Sequence, residues 1–119
     1  MTDYATSPGK TTIAPEVLHT IARLTTLSVE GVSRMSPVMP QKVNRLFRRW
    51  QSEGVQIVIE DDSVYVDLYI IMKNNVNIRD VCRNVQHDVS RAITEMVGMQ
   101  VGRVNIHVED IDYPLETEA

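Results

Sequence analysis

The sequence predicts an α+β fold, a two-layer sandwich in which a mainly antiparallel sheet carries two amphipathic helices on one face. Three observations predict it. From Asn77 to Gly98 apolar residues (Ile78, Val81, Cys82, Val85, Val89, Ala92, Ile93, Met96, Val97) recur at helical three-and-four spacing. Arg79, Asp80, Arg83, Gln86, His87, Asp88, Ser90, Arg91 and Glu95 fill the opposite side. Before this stretch, from Val55 to Lys73, and after it, from Val101 to Asp110, the apolar period is two, which is the period of strands. A helix of about five turns with one apolar stripe needs a flat apolar surface, and these strands supply it.

In chain order, Met1 to Lys10 is polar, contains Ser7, Pro8 and Gly9, and reads as a loose arm. Thr11–Ile13 reads as a short strand. Pro15 suits the first position of a helix, where a missing amide costs nothing, and Glu16 suits the helix dipole. Val17, Leu18, Ile21, Ala22, Leu24 and Leu27 then form the apolar face of about four turns, ending at Gly31. Val32–Met35 reads as a short strand or extended link. Val55–Glu60 and Val64–Lys73, joined by Asp61-Asp62-Ser63, form an antiparallel hairpin. One face of its second strand is Val64, Val66, Leu68, Ile70 and Met72; the other is Tyr65, Asp67, Tyr69 and Ile71. The long helix has its ends marked by Asn77, an N-capping residue, and by Gly98, which closes a helix in the left-handed conformation. In the last strand Val104, Ile106 and Val108 face in, Asn105, His107 and Glu109 face out, and Gly102 marks a bulge.

This gives one domain over residues 11–111, with an arm at 1–10 and an acidic tail at 112–119. A chain of 119 residues with 43% hydrophobic and 24% charged residues builds a core without disulfides or metal. A net charge of −4 argues against coating nucleic acid over the whole surface. A single cysteine makes no internal bridge, which points to a reducing compartment. The first ten residues lack a signal-peptide core, and no run approaches the ~20 apolar residues of a membrane span. The expectation is a cytoplasmic protein whose membrane association, if any, comes through a partner.

The segment 37–54 departs from the rest. Pro37 and Pro40 break regular structure, and Lys42, Arg45, Arg48 and Arg49 then precede any acid, with Val43, Leu46, Phe47 and Trp50 at helical spacing among them. Three readings stand: a solvated helix whose apolar side covers the core edge, a phosphate-binding patch with Trp50 stacking on a base, or docking to acidic protein or anionic lipid. Tyr65, Tyr69 and Ile71 make the outer sheet face too apolar for a purely solvated surface, so they are a candidate contact patch.

Three blocks together resemble the alkaline-shock protein family, small bacterial general-stress proteins best represented in Gram-positive species. They are GKTTIAPEVLHTIARLTTLSVEGVSRM, GVQIVIEDDSVYVDLYIIM and NVNIRDVCRNVQHDVSRAITEMVGMQVGRVNIHVEDI, covering roughly Gly9 to Ile111. The resemblance implies a non-enzymatic protein tied to cell-envelope and stress homeostasis, self-associating, with some members docking on a membrane-anchored partner and others encoded near lipid-metabolism genes. It carries no catalytic motif. Ala14 stands where a capping Ser or Thr is usual, and the basic segment falls in the family's variable region.

The residues themselves make no enzyme case and call for no cofactor. Cys82 lies on an apolar helix face and reads as core. His19, His87 and His107 lie on separate elements without metal-ligand spacing and read as surface or partly buried. His87 and Asp88 are adjacent on a helix and diverge by about 100°. The expected function is a non-catalytic interaction protein of the alkaline-shock type. The alternatives are a small RNA-binding module using residues 42–50 and a regulator linked to lipid metabolism that senses an acyl chain.

Overall fold

The computed structural model describes residues 8–37 and 54–113. Six elements follow one another: α1 (Pro15–Ser28), β1 (Val32–Met35), β2 (Val55–Glu60), β3 (Ser63–Lys73), α2 (Ile78–Val97) and β4 (Gln100–Asp112). The fold is α+β, with an open four-stranded sheet. Thr11–Ile13 forms no strand, and the last strand runs on to Asp112, two residues beyond its predicted end at Asp110.

β3 is the spine. Its first half pairs antiparallel with β2, from Val55 opposite Leu68 to Glu60 opposite Ser63, and its second half pairs with β1, from Met35 opposite Ile70 to Val32 opposite Met72. β1 and β2 therefore lie end to end on one edge of β3. The chain leaves that edge and returns to it at one residue: Ser36 N–H donates to Tyr69 O and Tyr69 N–H donates to Gly54 O, both at 2.8 Å. Gly54 adopts φ +73° there, and a Cβ would stand 2.7 Å from Tyr69 O, so only glycine fits. On its other edge β3 pairs with β4 in parallel along its whole length. α2 is the crossover that a parallel pair requires.

The core lies between the sheet and the helices. Val64, Val66, Leu68, Ile70 and Met72, the predicted inner face of β3, are fully buried together with Val85, Val89 and Ile93 of α2. Both predicted ends of α2 are in place. Asn77 Oδ1 accepts from Asp80 N–H at 3.1 Å, and Gly98 closes the helix at φ +80°. Asp61 and Asp62 both have positive φ, as two-residue hairpin turns require. The buried stripe of α2 is narrower than its apolar pattern, and Met96 is 69% exposed.

The first helix differs from its sequence reading. Its buried residues are Leu18, His19, Ala22 and Thr26, whereas Val17, Leu24 and Leu27 are exposed. His19, read as surface or partly buried, is in the core. Thr26 is accommodated because its Oγ1–H donates to Ala22 O at 2.7 Å within the helix. α1 packs on α2, β1 and β2, and these contacts choose its inner face. Ala14 makes no side-chain cap, as its chemistry implies.

Candidate functional site

The parallel register of β3 and β4 builds the most organised polar surface of the described residues, on the sheet face opposite the helices. It sets Tyr65 beside Arg103, Asp67 beside Asn105, and Tyr69 beside His107. Asp67 Oδ1 accepts from His107 Nε2 at 2.9 Å and from Asn105 Nδ2 at 3.1 Å. The His107 ring stacks on Tyr69, with centroids 4.4 Å apart and planes within 10°. Arg103 places its guanidinium carbon 5.7 Å from the Tyr65 ring centroid. At Gly102, β4 skips one residue of register, and a Cβ there would strike the Tyr65 ring. The predicted bulge is thus where the tyrosine finds room.

Burial grades this surface. Tyr69 and Ile71 are 9% and 4% exposed, while Tyr65, Asp67, Asn105 and His107 are half-buried. Of the predicted contact triad, Tyr65 is the residue with the most accessible ring. Burial, followed by the charges of Asp67 and Glu109, pushes the Tyr69 hydroxyl above its ordinary pKa, so it stays a neutral donor at physiological pH. The Asp67–His107 pair is half-exposed and contributes on the order of 1 kcal/mol at most. Asp67 is the hub, since it fixes both Asn105 and the ring that stacks on Tyr69.

At the end of the same sheet Asp112 accepts from Ser33 Oγ at 2.6 Å and from Arg34 Nε at 3.1 Å. These bonds, Arg34 first, hold its carboxyl below the usual aspartate range. The contacts tie β1 to β4 across β3. They anchor the sheet.

These groups can present hydrogen bonds and stacked rings to another molecule. No group of three His, Cys, Asp or Glu side chains comes together among the described residues. Cys82 is partly buried, and burial pushes its thiol pKa up, away from the nucleophilic form. His87 and Asp88, expected to diverge, do meet at 3.3 Å because both side chains are exposed and free to turn back. Lys42, Arg45, Arg48, Arg49 and Trp50 lie outside the described residues. The sequence reading placed Asp67 and His107 on this face without joining them. The missing signal was the strand–helix–strand order, which makes β3 and β4 parallel neighbours and fixes who faces whom.

No helix among the described residues is long and apolar enough to cross a membrane. A solved structure of the MamM CTD superposes with a TM-score of 0.50 at 9% identity, covering 82% of this chain and 95% of that one, a likeness of fold alone. The uncharacterized protein YqhY of Bacillus subtilis is 28% identical over 111 residues, covering 92% of this chain and 82% of its own length. The uncharacterized protein Spy1535 of Streptococcus pyogenes is 33% identical over 105 residues, covering 87% of this chain and 79% of its own. The sequence pattern of the alkaline-shock protein family, described as having a cell envelope-related function, matches residues 3–113, and the chain belongs to that family.

Proposed function

We propose that the chain is a non-catalytic interaction protein serving the cell envelope, and that it acts by self-association and by binding a protein partner from the cytoplasmic side. The family match over residues 3–113 carries this reading. The sheet face supports it: a ladder of stacked and hydrogen-bonded side chains around Asp67 is built to hold shape, and such rigid polar-aromatic surfaces suit recognition. Stress response and association with the membrane through an anchored partner belong to the same proposal.

The test is cross-linked capture of the tagged chain from its own cells, with and without nuclease, followed by counting protein and RNA. A nuclease-resistant envelope protein, lost when Asp67→Ala unhooks His107 and Asn105, is the expected result. Recovery of RNA alone, disappearing in the Arg48→Ala, Arg49→Ala variant, would replace this reading with nucleic-acid binding through the basic segment.

A further inference from the structure

Among the described residues, β4 has one edge paired with β3 and one edge paired with no strand. The ladder decides which main-chain groups look outward. The N–H and C=O of Tyr69 are bonded on the β1 and β2 side, so alternation turns Val66, Leu68 and Ile70 toward β4. In a parallel pair each of these bonds to the residues flanking its register partner, which engages Arg103, Asn105, His107 and Glu109. The N–H and C=O groups of Val104, Ile106 and Val108 are left pointing away from the sheet. Gln86 of α2 marks the same direction independently, donating from Nε2 to Val104 O at 2.9 Å. The register skips a residue just outside this run on both sides, at Gly102 and at Glu109. Bulges are a common way to end an edge, so the open template is short and bounded.

We propose that this edge pairs with a second copy of the chain, β4 against β4 antiparallel, about a two-fold axis through Ile106. This gives the self-association in the reading above a site, and rests on that reading for its occurrence. Isologous pairing sets each residue against one at a fixed sum of positions. With Ile106 on the axis, Val104 faces the second copy's Val108, and every outward main-chain group meets a partner. The Val104 carbonyl keeps a second lone pair beside the Gln86 bond. The same register sets Arg103 against the second copy's Glu109, twice over.

Both charges are on the helix-free face, Arg103 over Tyr65 and Glu109 near Tyr69, and neither makes an ion pair among the described residues. Sliding the pair by one step leaves an outward residue unmatched and sets Arg103 against His107 or Ile111 instead. Charge and main chain choose one register. The two-fold axis stands perpendicular to the sheet, so both copies keep their helices on one side. The Asp67–His107–Tyr69 ladders then join into one continuous face.

Sedimentation of the whole chain from low micromolar to millimolar concentration tests this. The expected result is a monomer–dimer equilibrium, abolished by Ile106→Pro, which removes an outward N–H on each copy. Arg103→Glu and Glu109→Arg each weaken the dimer roughly tenfold by setting like charges opposite one another, and the double exchange restores it. If circular dichroism shows that Ile106→Pro has misfolded, the charge exchange decides alone. A dimer indifferent to both charge reversals would overturn the assignment of this edge while leaving self-association standing. A monomer throughout would overturn both, and would leave the capture of a protein partner untouched.

Discussion

The two helices carry similar amphipathic patterns and are held in different ways. α2 is capped at both ends and buries Val81, Val85, Val89 and Ile93, a purely aliphatic stripe, on the side of the sheet where β4 and α1 meet it. α1 starts at an uncapped Ala14, buries His19 and Thr26 beside Leu18 and Ala22, and leaves Val17, Leu24 and Leu27 in solvent. α2, packed on α1 and β4, keeps the face that its pattern sets. α1, packed on α2, β1 and β2, buries two polar side chains, and Thr26 satisfies its hydroxyl within the helix. Amphipathicity therefore predicts the inner face of α2, whereas on α1 it finds Leu18, Ile21 and Ala22 but also points to Val17, Leu24 and Leu27, which are exposed.

Truncation breaks the comparison most sharply. Ile93→Ala, on the fully buried stripe of α2, is expected to cost about 2–5 kcal/mol, and Leu24→Ala, which is 54% exposed on α1, less than about 0.5 kcal/mol by urea denaturation. Equal losses would show that α1 buries the face its sequence pattern suggests. Capping sharpens the contrast at a smaller scale. Asn77→Ala removes the bond to Asp80 N–H and should cost about 1 kcal/mol, while Ala14→Ser, at a residue already in the extended capping conformation, should gain about 0.5–1 kcal/mol. A null effect of Ala14→Ser would mean that the start of α1 is fixed by Pro15 alone.

The smallest effect concerns pH. Burial lowers the pKa of His19 below its ordinary 6.5, with Glu16 opposing in part. The unfolded chain then binds the proton more readily than the folded one, so stability is complete above about pH 6.5 and declines as pH falls below it. His19→Leu should flatten the melting-temperature loss between about pH 6.5 and pH 5. An unchanged acid slope would assign that loss to other groups.

Much of the fold was legible from the residues because its signals are local. The alternation of Val64 through Met72 and the caps Asn77 and Gly98 each act within a few residues, and so does the Asp61-Asp62 turn. Register across the β3–β4 pair was not legible, since it depends on how a strand on the far side of α2 comes back. For that reason Tyr65, Tyr69 and Ile71 could be placed on one face, while the bonds from Asp67 to His107 and Asn105 could not be read. Part of the α1 reading failed for a related cause: which side of that helix is covered is settled by its contacts with α2, β1 and β2.

The parallel pairing of β3 with β4 also sets an order of events during synthesis. Every element that β3 meets on its other edge precedes it in the chain, so that edge can be satisfied as soon as β3 emerges. The edge of Val66, Leu68 and Ile70 must wait for α2 and then for β4. Contacts across so long a separation form late because the loop must close first, and an unpaired strand is a template for wrong partners until then. The arrival of β4 thus acts as the fold's own completion signal, converting a half-paired, aggregation-prone spine into one satisfied on both sides.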